Sequence, residues 1–423
     1  MPEETVEQAA QQKAAPKKPT ETKNLQTNLK TLHLSFGQGG GKLAFVVASK
    51  FDAVADIIYF NTSARDLEGL EDAAVADKSI KIGEGDIEGA GKDREVSFNL
   101  LGTYYSGIIK KITEIANKKV YDIIFVYFST SGGTGSGCGP SMTALLSSDE
   151  FFKGLTSYPE DKKPITFGVA ITPEISDLEG TKSLKNTLLA LENINAHVNN
   201  MELGHPLARY ILVTNGAAPI RDKKVQSSQH TMINKLVADY LYRYLNQYGH
   251  TRLINLDRAD RVKSLETMGL HAFGSLAVNK TANGTFYSTG TTPFIIPEGE
   301  RVRLVTYEVS EKQEEEVIQY FKDSGLSIDD TIHGFYDPEW AENASFIPII
   351  GFHGFRNVSK ISEKFSDRLN KILKDDAKRE HENISSARGL DNVDTTAKVV
   401  NEEYGQKSSF SFADILKNNG EKK

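Results

Sequence analysis

Hydrophobic and polar positions divide the central part of the chain into alternating predicted strands and helices. Short, continuous apolar runs are typical of strands buried on both faces, and the longer segments between them have apolar residues at helical spacing. The predicted strands are Leu32–Phe36, Asp56–Phe60, Tyr121–Phe128, Ile165–Ile171 and Ala208–Val213. The predicted helices are Lys42–Phe51, Arg94–Lys118, Ser141–Leu155, Asp177–Asn200 and Gln229–Tyr248. This alternation predicts an α/β fold in which helices cover both faces of a doubly wound parallel sheet.

The pattern changes after Asp260, where it predicts a smaller α+β domain. One helix near Lys312–Lys322 lies among predicted strands near His271–Val278, Val302–Glu308 and Phe346–Phe352. A charged helix is predicted to follow at Val358–Glu382. One face of this helix should dock on the body of the protein, because its apolar residues recur at helical spacing; they are Ile361, Phe365, Leu369, Ile372 and Leu373.

Both ends of the chain are polar. Residues 1–30 contain no Ile, Phe, Tyr or Trp, and the segment from about Ser386 onward is similar. Such segments bury too little apolar surface to offset their ordering entropy, so a disordered arm and a flexible tail are expected. The tail contains one apolar island, Ser409–Leu416. It is either a short docking peptide or an element that packs back on the body, and the sequence leaves both open.

Composition narrows the class of protein. The chain has 423 residues, of which 39% are hydrophobic and 25% charged, so it is long enough for two folded domains. The net charge of −7 argues against a basic nucleic-acid-binding surface over the whole protein, although a local patch is compatible with it. The single cysteine, Cys138, excludes an intramolecular disulfide, fits a reducing compartment and is interpreted as a packed core residue.

Membrane association is not expected from the sequence. No apolar run approaches the roughly 20 residues that a membrane-spanning helix needs. The N-terminus also lacks the apolar core of a signal peptide. A soluble cytoplasmic protein is therefore expected.

Two glycine-rich segments each follow a predicted strand: Phe36–Lys42 (FGQGGGK) and Gly132–Gly137 (GGTGSG). Glycine at such positions allows the backbone to approach a ligand closely, most often a phosphate. The Walker pattern does not fit the first segment, because Phe36 and Leu43 stand where it needs glycine and Ser/Thr. The dinucleotide pattern fails as well, since the third glycine comes one place early. A tight turn would explain either segment alone, but two at neighbouring strand ends indicate a nucleotide site.

The segment Gly132–Gly137 resembles the signature of the tubulin/FtsZ superfamily of filament-forming GTPases. Other segments resemble further motifs of this family and occur in the family's order, from about Leu32 to Val278. They are GQGGG at 37–41, NTS at 61–63, GAGK at 89–92, TP at 172–173 with EG at 179–180, Asn215, Asn234, and NLDRAD at 255–260. The resemblance implies a GTP-binding domain, a central helix and a second, smaller domain.

The resemblance also implies which residues contact GTP or GDP. The phosphate-binding residues would be Gly37, Gln38, Gly39, Gly40, Gly41, Asn61, Gly89, Ala90, Gly91, Lys92, Gly132, Gly133, Thr134, Gly135, Ser136 and Gly137. Thr172 and Glu179 match residues that contact the sugar, and Asn215 and Asn234 match residues that read guanine. Gln38 matches a tubulin glutamine beside the phosphates, which implies an indirect contact with phosphate-bound Mg²⁺.

The catalytic residues implied by the resemblance are Asp257 and Asp260, with Asn255 in the same motif. Neither phosphate segment contains a carboxylate or histidine, and Lys92 cannot act as a base while it is protonated. In the family, the acidic motif lies on the opposite face of the subunit and meets the γ-phosphate of the next molecule in a head-to-tail filament. Hydrolysis would then depend on assembly. A compatible alternative is that these aspartates cap a helix.

Departures from the pattern bear on the cellular role. Four residues differ from the cell-division branch: Lys42, Ser63, Arg94 and Ser131. These departures weaken the assignment to that branch. The segment STSGGTG at 129–135, the charged helix after Asn357 and the absence of a recognisable division-type C-terminal peptide look more like the TubZ and phage-tubulin (PhuZ) branch. This resemblance implies filaments that position plasmid or phage DNA in a bacterial or phage-infected cytoplasm. The tail lacks a dense basic run, so we expect an adaptor or cargo protein there rather than direct DNA binding.

The expected division of the chain follows from these motifs. It comprises an arm at 1–30, a GTP-binding domain at 31–228, a central helix and catalytic loop at 229–257, an α+β activation domain at 258–357, a C-terminal helix at 358–385 and a tail at 386–423. The main alternative function is an FtsZ-like division-ring GTPase whose tail island tethers it to a membrane adaptor. A non-hydrolysing scaffold is disfavoured by the acidic motif, and a metabolic dehydrogenase by the glycine spacing.

Overall fold

A computed structural model describes most of the chain between residues 29 and 388. The described ranges are 29–53, 56–70, 78–84, 89–175, 180–199, 207–217, 226–246, 256–281, 284–289, 292–343 and 347–388. Almost all of the arm predicted at 1–30 lies outside them, as do residues 389–423 with the apolar island Ser409–Leu416.

The described strands follow the predicted positions closely, with three additions. They are β1 Thr31–Phe36, β2 Ile57–Asn61, β3 Ser79–Lys81, β4 Ile123–Ser129, β5 Ile165–Thr172, β6 Arg209–Thr214, β7 Gly269–Thr281, β8 Gly284–Thr289, β9 Arg301–Val309, β10 Ser327–Phe335 and β11 Ile349–Phe355. The strands without a sequence prediction are β3, β8 and β10.

The helices are α1 Gly37–Lys50, α2 Ala64–Glu68, α3 Arg94–Lys118, α4 Gly133–Leu146, α5 Asp149–Lys153, α6 Thr181–Asn199, α7 Gln226–Asn246, α8 Arg258–Leu265, α9 Glu314–Asp323, α10 Pro338–Asn343 and α11 Ser359–Arg388. The bounds of α3 are those predicted. Two starts were predicted wrongly: α1 begins at Gly37 rather than Lys42, and α4 at Gly133 rather than Ser141. Glycine is a poor helix former, but close contact with the sheet overrides that preference here.

The described strands form one sheet in the order β10-β9-β11-β7-β6-β5-β4-β1-β2-β3, with β8 paired to β7. Neighbours from β7 through β3 are parallel, which confirms the predicted doubly wound arrangement. Strand β11 is antiparallel to both β7 and β9. The carboxyl ends of β1 to β6 therefore lie along one edge, called the carboxyl edge here, and their amino ends along the opposite amino edge.

Helix α7 runs from the carboxyl edge to the amino edge, alongside α1. Helix α1 leaves the carboxyl edge directly after β1, and its last residue, Lys50, forms an ion pair of 2.7 Å with Asp239 of α7. Farther along, Phe51 packs edge-on against Tyr242 with 5.5 Å between ring centroids. Since α7 spans Gln226–Asn246, its length is about 30 Å, enough to connect the two edges.

The C-terminal helix docks as its periodicity predicted. Helix α11 packs against α6, and Phe365 and Leu369 are each 2% exposed. Ile361, Ile372 and Leu373 are partly buried against the same core. None of the described helices is long and apolar enough to cross a membrane.

Three histidines are fully buried in the sheet. His33 on β1 contacts Thr31 Oγ1 at 2.8 Å and Tyr127 Oη at 3.0 Å, and His271 on β7 contacts His353 on β11 at 3.0 Å between their Nδ1 atoms. Burial lowers the pKa of His33 and of His271 to about 3, and it also lowers the pKa of His353, which the nearby His271 lowers further. These rings stay neutral in the folded protein at mildly acidic pH.

The buried histidines predict a loss of stability on acidification. In the unfolded chain a histidine takes up a proton below about pH 6.5, whereas folded His33 does so only near pH 3. The unfolded state therefore binds more protons across this window, and the free energy of unfolding falls as pH falls, by about 1 kcal/mol per pH unit for each such group.

We expect His33→Gln to reduce this pH dependence by about that amount between pH 6 and pH 4. Urea denaturation of both proteins at several pH values measures it. Tyr127→Phe is the matched control, because it removes a contact of His33 but no group that titrates in this range. An unchanged slope in His33→Gln would contradict the assignment.

Candidate functional site

The first turns of α1 and α4 lie side by side at the carboxyl edge. Their strands, β1 and β4, are neighbours, with Phe36 paired to Phe128. Gly37 has a positive φ of +76°, and a Cβ placed on it would lie 3.2 Å from the backbone nitrogen of Gly135. Two helix N-termini thus meet at one point of the sheet.

Close packing explains the glycines in α4. A Cβ on Gly135 would lie 2.5 Å from the Ser129 carbonyl oxygen, and one on Gly137 would lie 2.6 Å from the Arg94 carbonyl oxygen. Gly132 differs, because its Cβ would meet nothing within 4 Å. The glycines inside the helix therefore serve packing, while Gly132 faces open space.

Neither helix has a side-chain cap at its N-terminus. Phe36 and Gly132 are the N-cap residues of α1 and α4, and neither makes a side-chain hydrogen bond to the first turn. The first turns contain no acidic residue. Because the first N–H groups of a helix lack partners within it and the helix dipole is positive there, this pair of termini suits an anionic ligand such as a phosphate.

Side chains of the GGTGSG segment are used inside the protein. Thr134 Oγ1 donates to Asn61 Oδ1 at 3.2 Å and contacts Thr62 Oγ1 at 2.8 Å. Ser136 is fully buried, and its hydroxyl donates to the carbonyl oxygen of Gly132. Ligand contacts here would come mainly from backbone N–H groups. Thr134 is 7% exposed, and its hydroxyl connects the end of β2 to α4.

The GAGK segment packs directly on the start of α4. Gly89, Gly91 and Lys92 all have positive φ, which marks a tight turn ending at Asp93, the N-cap of α3. A Cβ on Gly133 would lie 2.8 Å from the Cβ of Ala90. The turn therefore completes one wall of the same site.

The Lys92 side chain is directed toward helix α6. Its Nζ donates to Ser183 Oγ on α6 at 3.2 Å, which directs the positive charge toward that helix. Arg94, one of the departures from the division branch, donates from Nε to the Ser136 carbonyl oxygen at 3.2 Å. Its side chain is therefore anchored at the first turn of α4.

Asn186 was missed by the sequence analysis. Its Nδ2 donates to the Lys92 carbonyl oxygen at 2.9 Å and to the Ser131 carbonyl oxygen at 3.2 Å. The side chain, on a residue 5% exposed, bridges the GAGK turn and the approach to GGTGSG. An asparagine within a long amphipathic helix has no sequence signal for such a role.

Residues expected to contact the sugar and base lie farther along the carboxyl edge. Thr172 is buried and donates to the Val213 carbonyl oxygen at 3.1 Å, so its hydroxyl serves the sheet. Asn215 directly follows β6 in a short 3-10 turn that contacts α7, where Asn234 is half-buried. Glu179 lies outside the described residues.

Glu174 adds a carboxylate to this side. Its Cγ would lie 3.5 Å from a Cβ on Gly216, next to Asn215. Its Oε2 is buried and has no hydrogen-bond partner within the part of the chain that the structure describes. Glu174 directly follows the Thr-Pro pair of the sugar-binding motif, which is the sequence signal that could have identified it.

The acidic pair lies at the opposite, amino edge. Helix α8 precedes β7, whose first residue, Gly269, pairs with the first residue of β6, Arg209. Arg209 Nη2 also donates to the Glu266 carbonyl oxygen at the end of α8, at 2.7 Å. Asp257 and Asp260 are therefore separated from the glycine segments by the length of the sheet. Asn255 lies outside the described residues.

Asp257 and Asp260 form a capping box at the start of α8. Asp257 Oδ1 accepts from the Asp260 N–H at 2.9 Å, and Asp260 Oδ2 accepts from the Asp257 N–H at 3.3 Å. The capping role foreseen as an alternative is thus present. Asp257 is exposed and Asp260 half-buried, so the pair still faces solvent.

Two further residues were singled out from the sequence. Burial raises the pKa of the Cys138 thiol to about 12, which fits an inert core residue. Gln38 is exposed in the first turn of α1. Among the described residues, no cluster of His, Cys, Asp or Glu could hold a metal ion by itself.

Comparisons with known proteins show which family and fold this chain is similar to. Residues 23–202 match the Tubulin/FtsZ family, GTPase domain. The chain is 24% identical over 257 residues to the tubulin-like protein CetZ of Pyrococcus furiosus, covering 58% of this chain and 66% of that protein. It is 31% identical over 119 residues to the tubulin-like protein TubZ of a Clostridium botulinum C phage, an alignment that covers 27% of this chain and 30% of that protein. Both alignments span less than two thirds of the relative's length.

Among solved structures, the fold resembles a GTPγS-form protofilament of Bacillus thuringiensis serovar israelensis TubZ. The TM-score is 0.63 at 14% sequence identity, and the match covers 84% of this chain and 94% of that one. At this sequence identity the likeness concerns the fold alone.

The two kinds of glycine in GGTGSG predict different mutant behaviour. Gly132→Ala should leave the melting temperature of the nucleotide-free protein unchanged, because Gly132 has φ −81° and open space around it. It should weaken nucleotide binding about tenfold, because the added methyl group would stand in the open space that the phosphates would approach. A loss of that size corresponds to roughly one good hydrogen bond.

Gly135→Ala should instead lower the stability of the free protein by about 1–3 kcal/mol, because its Cβ would collide with backbone. Thermal melts without nucleotide and titration with a fluorescent GTP analogue separate the two effects. Unchanged GTP affinity in Gly132→Ala would argue that the phosphates bind elsewhere.

Proposed function

Because this chain carries a GTPase domain of the tubulin/FtsZ family, we propose that it is a cytoskeletal GTPase whose subunits assemble head to tail and hydrolyse GTP at the contacts between them. The observation that supports this most strongly is the separation of the two parts of the site. The uncapped turns of α1 and α4 lie at the carboxyl edge, and Asp257 and Asp260 lie at the amino edge.

The separation is too large for a subunit to act on its own nucleotide. Helix α7 connects the two edges and is about 30 Å long. A carboxylate must come within hydrogen-bond reach of the water that it orients. When the amino edge of one subunit meets the carboxyl edge of the next, the acidic pair reaches the neighbour's phosphates. Such a contact joins unlike surfaces, and it builds a filament when it repeats without closing into a ring.

The same separation favours nucleotide binding by the free subunit. A carboxylate beside the γ-phosphate would repel it, and no acidic residue is present in the first turn of α1 or α4. The backbone N–H groups of 37–41 and 132–137 would hold the phosphates. Asn215 and Asn234 would read guanine, and Glu174 would accept a hydrogen bond from the base or the sugar.

Mg²⁺ fits this site as an ion carried by the nucleotide. Gln38, exposed at the first turn of α1, would reach a water bound to it. The ion would neutralise charge on the β- and γ-phosphates. The chain's own contribution to hydrolysis would then be to orient the attacking water with Asp257 and Asp260. In the capping box, Asp257 accepts a hydrogen bond through Oδ1 and Asp260 through Oδ2. The second oxygen of each carboxylate would orient the water.

The cellular role that we propose is the positioning of plasmid or phage DNA through an adaptor or cargo protein bound by the tail. The similarity to the phage protein TubZ and the four departures from the division branch support it. The net charge of −7 supports an adaptor rather than direct contact with DNA.

The function is tested by the dependence of GTP turnover on protein concentration. Turnover per molecule should be very low in dilute protein and rise steeply above a threshold, at the concentration where the protein begins to sediment with GTP. Phosphate release and pelleting are measured on the same samples. Turnover per molecule that is equal below and above the threshold would contradict a site shared between subunits.

Asp257→Asn and Asp260→Asn should each reduce turnover per polymerised subunit by at least about tenfold, within the range that general acid–base groups contribute. Asparagine can still accept the capping hydrogen bond, so α8 and the filament should be retained. Glu266→Gln, at the other end of α8, is the matched control and should turn over GTP normally. Filaments of Asp257→Asn with normal turnover would remove this residue from the mechanism.

A further inference from the structure

Arg261 follows the acidic pair directly, but its side chain points into the protein. It is 1% exposed. Its Nη1 donates to the Tyr244 carbonyl oxygen near the end of α7 at 2.9 Å, and its Nη2 donates to the Glu308 carboxylate on β9. The guanidinium carbon also lies 5.3 Å from the centroid of the Tyr244 ring. One side chain thus joins α8, α7 and β9.

Ser264 makes a second connection one turn farther along α8. Its Oγ contacts the Tyr244 hydroxyl at 2.6 Å, and the same hydroxyl contacts Thr306 Oγ1 on β9 at 2.9 Å. Both Arg261 and Ser264 therefore connect α8 to Tyr244 and to β9. Two such connections on one face restrict both the rotation and the sliding of the helix.

A buried ion pair such as Arg261–Glu308 is a poor means of gaining stability. Both side chains are 1% exposed, so each charge has lost its hydration. Apolar residues of similar volume often give equal or greater stability at such a place. The planar guanidinium does fix the orientation of α8, because its donors have a rigid geometry and reach two acceptors at once.

Helix α8 needs contacts that fix its orientation. It spans only Arg258–Leu265, and a helix of that length is marginal without tertiary contacts. Asp257 and Asp260 lie at its N-terminal turn, facing solvent. A misplacement of about 1 Å at a reacting centre can reduce a rate about a hundredfold.

We propose that Arg261 and Glu308 are positioning residues, which hold the acidic turn of α8 in the orientation required at the neighbouring subunit's γ-phosphate. This inference rests on the proposed function. According to this inference, the rate of hydrolysis within a filament depends on the buried pair, whereas folding, GTP binding and assembly do not.

The double variant Arg261→Met with Glu308→Leu tests the inference, because it removes the charges and keeps the volume. It should fold, bind GTP and pellet with GTP like the wild type, but its turnover per polymerised subunit at saturating GTP should fall at least tenfold. The matched control is Arg301→Met with Asp329→Leu, which removes an ion pair of 2.7 Å from β9 and β10 at the surface. The control should keep normal turnover.

Arg261→Lys covers the case in which the double variant does not fold. Lysine keeps the charge beside Glu308 but lacks the fork that also reaches the Tyr244 carbonyl, so turnover per polymerised subunit should fall severalfold with a normal pelleted fraction. Wild-type turnover in filaments of either variant would overturn the inference. If the wild type itself neither pellets with GTP nor shows concentration-dependent turnover, the proposed function fails instead.

Discussion

Close backbone contact at the carboxyl edge is the constraint on which the rest of the structure depends. Helix α4 is buried along its whole length, and its glycines touch the backbone of β4 and α3 where no side chain fits. This contact brings the first turn of α4 beside that of α1 and leaves both without side-chain caps. The uncapped N–H groups suit an anionic partner, and a carboxylate of the same subunit nearby would compete with it. Asp257 and Asp260 lie at the other edge.

The alternation of apolar runs predicted the parallel sheet, because strands buried on both faces leave a plain signal in sequence. Strand β10 was missed for the opposite reason. It lies at the end of the sheet, and most of its residues are exposed or half-exposed, so Ser327–Phe335 has no apolar run. The starts of α1 and α4 were misjudged because glycine argues against helix locally, and only the packing against β4 shows why it is required there.

The segments that meet at the candidate site were predicted from the sequence, but the direction of their side chains was not. Thr134, Ser136 and Thr172 direct their hydroxyls to protein groups, and Lys92 directs its ammonium to α6. A motif resemblance concerns positions along the chain, and it does not say which way a side chain points. Asn186 and the Arg261–Glu308 pair had no motif at all. A charged residue in a polar stretch is usually solvated, so burial of this pair could be learned only from the fold.

The two edges must keep a constant spacing if one site is to be assembled from two subunits. Along the chain, α7 and the parallel strands span that distance as rigid elements, whereas α8 is a short helix attached at the end. Any looseness in α8 therefore adds directly to the uncertainty in the positions of Asp257 and Asp260. Tyr244 of α7 makes two contacts that hold α8. Its backbone carbonyl oxygen accepts a hydrogen bond from the Arg261 guanidinium, and its hydroxyl contacts Ser264. Helix α7, which connects the two edges, is therefore also the element that holds α8 with Asp257 and Asp260 in place.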